Sequence, residues 1–139
     1  MANTFTAPFV QQYKTQAAVV TAALGGIGTG TVTGAVAVAT AGVNGAVLTR
    51  LTAIPRATVT ASSLVLFLVK ASAPTVFQLI DSELMPAYTL AATTAIPETP
   101  FGNITNDNPL RLEAGDILYV GSQVALAAGI VFTAQWGNL

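Results

Sequence analysis

Carboxylates are the groups in this sequence best suited to acid–base chemistry, because the chain contains neither histidine nor cysteine. Asp81 and Glu83 lie two positions apart and would share one face of a strand, and Glu113 and Asp116 flank a predicted turn. Paired carboxylates can hydrolyse a glycosidic bond when they lie about 5–10 Å apart around a sugar. Few titratable groups are present to tune one another's pKa values, so we interpret these acids as solvated strand ends and predict no enzyme.

Ligand-binding motifs are equally sparse. Asn103, Asn106, Asp107 and Asn108 could offer oxygens to a weak Ca²⁺ site, but Ca²⁺ usually takes about six to eight oxygen ligands, several from carboxylates. An Asx-rich turn is the simpler interpretation, and we predict no metal site.

The glycine-rich run at residues 24–30 superficially resembles a phosphate-binding loop. Such loops need a following helix whose N–H groups face the anion, whereas residues 31–38 alternate like a strand. We therefore predict a flexible turn, no cofactor and no small-molecule substrate.

Aromatic residues could instead form a platform for stacking on sugars, the candidates being Trp136, Tyr88, Tyr119 and Phe101. Trp136 falls on the apolar face of its predicted strand, which favours core packing. Phe101 lies in a long predicted loop and is the better candidate for a contact with a partner.

Charge is scarce along the whole chain. Charged residues make up 8% of it, against roughly 25% in an ordinary soluble domain, and the net charge is −1. The cations are dispersed, which argues against a nucleic-acid surface: Lys14, Arg50, Arg56, Lys70 and Arg111. We infer that much of the surface does not face solvent.

Two stretches, residues 15–49 and 117–139, carry no charge and are long enough to raise the question of a membrane span. Glycine, threonine and glutamine interrupt both, and the N-terminus lacks the basic start and apolar core of a signal peptide. Strands fit these stretches better, and we predict no membrane partner.

Residues 1–15 form a predicted N-terminal arm that differs in character from the rest of the chain. Phe5, Phe9 and Tyr13 recur every four residues, as on one face of a helix, and Pro8 suits a first helical turn. The arm is either a short helix packed on its own domain or a segment whose aromatic residues dock on a neighbouring molecule.

Residues 16–139 form the predicted folded domain. About eight short segments of strand character, separated by turn signals, predict an all-β, antiparallel two-sheet jelly-roll sandwich. The segments are residues 17–23, 31–38, 46–54, 63–70, 76–80, 84–94, 110–120 (as a hairpin), 124–127 and 130–136.

The hairpin at residues 109–120 is the expected organising element, with a tight turn at Ala114 and Gly115. Residues 117–120 are apolar without alternation, so both faces of that strand should be covered, one by the second sheet and the other by something else. Lysine commonly guards exposed sheet edges, yet only Lys70 lies on a strongly predicted strand. We infer that partner subunits cover the faces and edges in a closed assembly.

Several segments resemble the small jelly-roll decoration, or cement, proteins on the heads of tailed bacteriophages and related minor virion proteins. They are AGVNG at residues 41–45 leading into VLTRL at 47–51, TVTA at 58–61 before LVLF at 64–67, LRLEAGD at 110–116, and FTAQWG at 132–137. This resemblance implies a jelly roll that forms trimers on the capsid lattice and stabilises the shell.

The sequence therefore predicts a non-enzymatic virion protein on the capsid surface, a homotrimer that contacts coat subunits. The candidate contact residues are Phe5, Phe9, Tyr13 and Phe101. Two alternatives remain open: a receptor- or glycan-binding tip domain of a phage fibre, and a major coat protein.

Overall fold

The computed structural model describes residues 9–139, which contain nine β-strands and no helix. The strands are β1 Gln12–Val20, β2 Val36–Thr40, β3 Ala46–Pro55, β4 Ser62–Val69, β5 Gln78–Met85, β6 Thr99–Pro100, β7 Leu110–Leu112, β8 Ile117–Ser122 and β9 Ile130–Asn138.

Two antiparallel sheets are built from these strands. The first sheet has the order β1-β9-β3-β6, with β7 also paired to β3, and the second has the order β2-β8-β4-β5. The predicted all-β, two-sheet antiparallel sandwich is therefore confirmed.

Strand pairing is nested along the chain. β1 pairs with β9, β2 with β8, β3 with β6 and β7, and β4 with β5. The first half of the chain thus folds back along the second half as one long ribbon. Additional pairs, β3 with β9 and β4 with β8, join the turns of this ribbon into the two sheets.

The core lies between the sheets and is filled from alternate positions on the strands. Phe132, Ala134 and Trp136 of β9 face it, as do Leu48 of β3 and Leu66 of β4. Fully burying one such large apolar side chain stabilises the fold by about 1.5–3 kcal/mol. The prediction that Trp136 packs in the core is confirmed.

The predicted hairpin at residues 109–120 is wrong. β7 pairs with β3 in the first sheet, whereas β8 lies in the second sheet between β2 and β4. The turn itself is present, and Gly115 has the positive φ of 78° that favours glycine. A tight turn here carries the chain from one sheet to the other, because each flanking strand finds its partners elsewhere.

Four other strand predictions need correction. The strand predicted at residues 31–38 begins only at Val36, because Thr33 pairs with Gly25 in the glycine-rich loop. The strand predicted at 76–80 is observed as β5, which begins at Gln78 and continues to Met85. Residues 124–127 are irregular. Residues 86–94 are also irregular apart from an isolated bridge between Tyr88 and Val59.

The predicted N-terminal helix is also wrong for residues 9–15, the part of the arm that the structure describes. Residues 9–11 are not helical, and Tyr13 lies within β1, so residues 12–15 of the predicted arm belong to the first sheet. A neighbouring strand with unsatisfied backbone groups, β9, offers those residues a full ladder of hydrogen bonds. Phe5 and the rest of residues 1–8 lie outside the described residues.

The outward side of the second sheet is covered by the chain itself. Val65, Phe67 and Val69 of β4 are buried although they point away from the core between the sheets. Phe77 lies over part of this side, with its ring centroid 5.9 Å from that of Phe67 and 4.7 Å from that of Tyr119, and Leu24 packs against Gly121 beside Val65. The expectation that another molecule must cover β8 is therefore corrected, since the segment before β5 does so.

Candidate functional site

The outward side of the first sheet is exposed along β1 and half-buried along β9 and β3, where Thr52 is 5% exposed. Residues at β1, β9 and β3 that alternate with core residues point to this side, in the registers Thr15–Gln135–Arg50, Ala17–Thr133–Thr52 and Val19–Val131–Ile54. We call this surface the docking face and define it by Tyr13, Thr15, Ala17, Val19, Val47, Arg50, Thr52, Ile54, Val131, Thr133 and Gln135.

Short, neutral side chains give the docking face its character. Thr, Ala, Val and Ile dominate it, and they lose little conformational freedom on contact because they are small or β-branched. Arg50 lies on the face, and Arg111 of β7, opposite Val47, is exposed on the same side of the sheet. Arg50 donates from Nη2 to Glu98 Oε1 at 3.0 Å and to Oε2 at 3.3 Å. The face is therefore nearly neutral overall.

A groove crosses the docking face beside β3. Two adjoining cavities of about 500 and 160 Å³ share Arg50, Glu98 and Gln135 in their walls. Both side chains of the ion pair are substantially exposed, so the pair itself contributes only about 0–1 kcal/mol to stability. Its donors and acceptors remain available to a partner that lies in the groove.

The predicted contact residues differ in how exposed their side chains are. Tyr13 is 85% exposed on the docking face, and Phe9, just before β1, is also exposed. Phe101 is 1% exposed and packs against Phe132, with ring centroids 6.4 Å apart. Its prediction as a surface contact is wrong, because the loop that carries it folds into the end of the core.

The chain reaches the docking face at its N-terminal end. The Gln11 N–H donates to the Asn138 carbonyl at 2.8 Å, and Val10 packs directly over Gly137. Only glycine leaves room for Val10 there, since a Cβ at position 137 would collide with the valine methyl groups. The exposed Phe9 and Tyr13 therefore belong to the same side of the molecule as the groove.

Sequence reasoning missed most of this face. Arg50, Gln135 and Thr133 were not singled out, although Thr133 and Gln135 alternate with apolar residues along β9. That alternation was the available signal. It shows that β9 has one solvent-facing side, but not which strands lie beside it.

The carboxylate pairs considered for catalysis are used in local contacts. Asp81 and Glu83 share a strand face, as predicted, and accept from Asn103 Nδ2 at 3.4 Å and from the Gly102 N–H at 3.3 Å. Within residues 9–139, no group of three or more acidic, histidine or cysteine side chains is arranged to hold a metal.

Glu113 and Asp116 form the second pair, and both carboxylates form salt bridges with Lys70. Its Nζ lies 2.9 Å from Asp116 Oδ2 and 3.0 Å from Glu113 Oε2. The pKa of Lys70 is raised above its ordinary value. The hydrogen bond to Asp116 is the largest cause, and the hydrogen bond to Glu113 is the next. The salt bridges of Lys70 with Glu113 and Asp116 stabilise the turn between β7 and β8.

Comparison with protein-family models, with curated proteins and with solved structures gave no match. Across the part of the chain that the structure describes, no helix has the length and apolar character needed to span a membrane.

Proposed function

We propose that this protein is a non-enzymatic structural component of a virion, a decoration protein that binds the capsid surface as a homotrimer. Its partners are other copies of the chain and coat-protein subunits. The observation that carries the proposal is the docking face, a broad side of the sandwich made almost entirely of short neutral side chains.

The low charge of the chain supports this role. A sandwich with 8% charged residues and a net charge of −1 has little electrostatic repulsion to keep copies apart. The short side chains on either side of the groove allow another surface to approach the sheet closely. Contacts of this kind are typical of permanent assemblies.

The strand order supports the finer assignment of a jelly roll. Nested pairing of β1 with β9, β2 with β8, β3 with β6 and β7, and β4 with β5 is the arrangement expected when an antiparallel ribbon is rolled into two sheets. Double-sheet jelly rolls of this type occur in viral capsid and lectin domains.

Salt resistance tests the proposed attachment. At about 1 M salt the Debye length falls to about 3 Å, which screens exposed charges but leaves neutral packing contacts largely intact. Capsids that carry the protein should retain it through such a wash. Wholesale release into the supernatant would contradict attachment through the docking face.

A matched pair of variants locates the attachment. Ala17→Glu places a carboxylate on the β1 side of the docking face, opposite Thr133, and Ala127→Glu makes the same change in an exposed turn before β9. The first should abolish capsid binding in a sedimentation assay and the second should leave it intact. Equal binding by both variants would count against the docking face.

A second candidate function is the receptor-binding tip of a phage fibre, favoured by the groove. Thr49, Gln135, Asn106 and the Arg50–Glu98 pair line it and offer both hydrogen-bond donors and acceptors, as a sugar requires. The aromatic platform expected around Phe101 does not support it, because Phe101 is buried. Specific binding on a glycan array, lost in Arg50→Ala, would favour this function over decoration.

A further inference from the structure

β5 is an edge strand with little protection against another strand. It pairs only with β4, and it contains no Lys, Arg or Pro between Gln78 and Met85. Leu79, Ile80 and Leu84 are all exposed along it. Such edges bind further strands unless charged side chains, proline, a bulge or a cover prevents it, and at β5 the protection consists of one register shift and the inward-facing Asp81 and Glu83.

Asp81 lies at an irregularity in this edge. The register of β4 and β5 shifts between Leu66 and Phe67, and Asp81 stands opposite the core residue Leu66. Its Oδ1 accepts from the Ser82 N–H at 2.8 Å and from Asn103 Nδ2 at 3.4 Å. Its Oδ2 is buried and has no hydrogen-bond partner among the described residues. An unpaired buried carboxylate oxygen is destabilising, so a missing donor is indicated.

A cavity of about 240 Å³ lies beside Asp81, and we call it the Asp81 pocket. Its walls are mainly apolar, and its polar lining consists of Asp81, Asn103 and Asn108. The Asn103 amide donates to Asp81, and the Asn108 Nδ2 donates to the Asn103 carbonyl at 2.9 Å. Each amide nitrogen keeps one free N–H, and the Asp81 carboxylate is the only charged group among the described residues of the lining. The pocket therefore suits an alkyl stem that ends in a cation, which is the chemistry of a basic side chain.

Lys14 is the cation of this chain best placed to reach such a pocket on another copy. It lies on β1, the edge strand of the first sheet, which pairs only with β9. Lys14 is exposed and forms no ion pair with any residue in the range 9–139. Arg56 and Arg111 also lack such a pair there, but Arg56 lies in a turn and Arg111 on the three-residue β7.

We propose that β1 of a second copy lies along β5 and places its Lys14 in the Asp81 pocket. The two strands have similar lengths, nine and eight residues, and the acidic pair Asp81 and Glu83 complements Lys14. This contact joins two different edges, so repeating it with a rotation of one third of a turn closes a trimeric ring, whereas other rotations give larger rings or an open filament. The inference rests on the proposed homotrimer and names the strands that form it.

Sedimentation velocity of the full-length protein over a range of concentrations tests the contact. Asp81→Asn and Lys14→Gln should each weaken self-association at least tenfold, while the control variants Glu113→Gln and Arg56→Gln should leave it unchanged. The double variant Lys14→Asp with Asp81→Lys should restore association, because the charges are exchanged. Circular dichroism melting of each variant shows whether the sandwich remains folded.

The possible outcomes separate this contact from the proposed function. If the wild-type protein is trimeric and both single variants remain trimeric, the contact is wrong and the homotrimer stands. If Asp81→Asn weakens association and Lys14→Gln does not, the pocket takes a different cation and the β1 assignment is overturned. If the wild-type protein is monomeric at micromolar concentration, both the contact and the homotrimer are wrong.

Discussion

The ammonium group of Lys70 lies 2.9 Å from the Oδ2 atom of Asp116, which ties the end of β4 to the turn that carries the chain from the first sheet into the second. The same Oδ2 atom accepts from the Glu113 N–H at 3.0 Å, and the Asp116 side chain is 3% exposed. One carboxylate therefore closes the turn and anchors it to the neighbouring strand.

Removing this carboxylate should destabilise the fold. Asp116→Ala deletes the hydrogen bond from the Glu113 N–H, and a bond to a buried charged acceptor contributes about 1.5–3 kcal/mol; it also removes the contact with the more exposed Lys70. We expect the free energy of unfolding to fall by about 2–4 kcal/mol, measured by urea denaturation. Glu113→Gln, at a well-exposed position, is the control and should change it by less than about 0.5 kcal/mol.

The Lys70 contacts also predict a loss of stability in alkali. The folded-state pKa of Lys70 is raised above its ordinary value of 10.5 by Asp116 and then Glu113. Its contribution is therefore complete below that value and disappears as the pH rises through the raised pKa. Above pH 10.5, the melting temperature of the wild-type protein should fall more steeply with pH than that of Lys70→Met. Parallel curves for the two proteins would contradict the role of Lys70.

The cover on the second sheet should contribute measurably to stability. Phe77→Ala removes the half-buried ring that contacts Phe67 and Tyr119. We expect a loss of about 1–3 kcal/mol in urea denaturation, less than the about 3–5 kcal/mol typical of a fully buried phenylalanine. Val76→Ala, at the exposed neighbouring position, should have little effect. A neutral Phe77→Ala would show that the sheet does not need this cover.

Backbone conformation gives a further prediction at the turn between β7 and β8. Gly115 has a φ of 78°, and a Cβ there would lie 3.0 Å from the Cβ of Ala71. Gly115→Ala should therefore destabilise the protein by about 1–3 kcal/mol. Gly102→Ala is the matched control, because position 102 has no atom within 4 Å of a Cβ and no positive φ. Calorimetric melting of both variants checks the difference.

Local sequence patterns predicted the strongest strands well. The segment 46–54 became β3 and 63–70 became β4, each to within about one residue, because β-branched and leucine-rich runs bounded by turn residues favour strands in any context. The two-sheet class followed from the number and spacing of such segments. The position of Trp136 in the core followed from the alternation in β9.

Pairing and burial depended on contacts far apart in sequence and could not be predicted in the same way. The residues around Gly115 specify a turn but not the partners of the strands beside it, so β7 and β8 were wrongly joined as a hairpin. Phe101 is buried only because its loop meets Phe132 of β9. Likewise, nothing near Phe67 indicates that Phe77 covers it, and partner subunits were invoked for a face that the chain covers itself.

The groove on the docking face could not be predicted from the sequence for the same reason. Arg50 and Glu98 are 48 positions apart and meet only because β6 pairs with β3 beside them. The composition of the chain indicates a neutral surface, and the outward side of the first sheet is one part of it.

The native mass of the purified protein at micromolar concentration, measured by light scattering coupled to size-exclusion chromatography, tests most directly whether this sandwich is a building block for a larger assembly. The homotrimer predicts a mass three times the 14.1 kDa of the chain. A stable, well-behaved species with the mass of a single chain would contradict it.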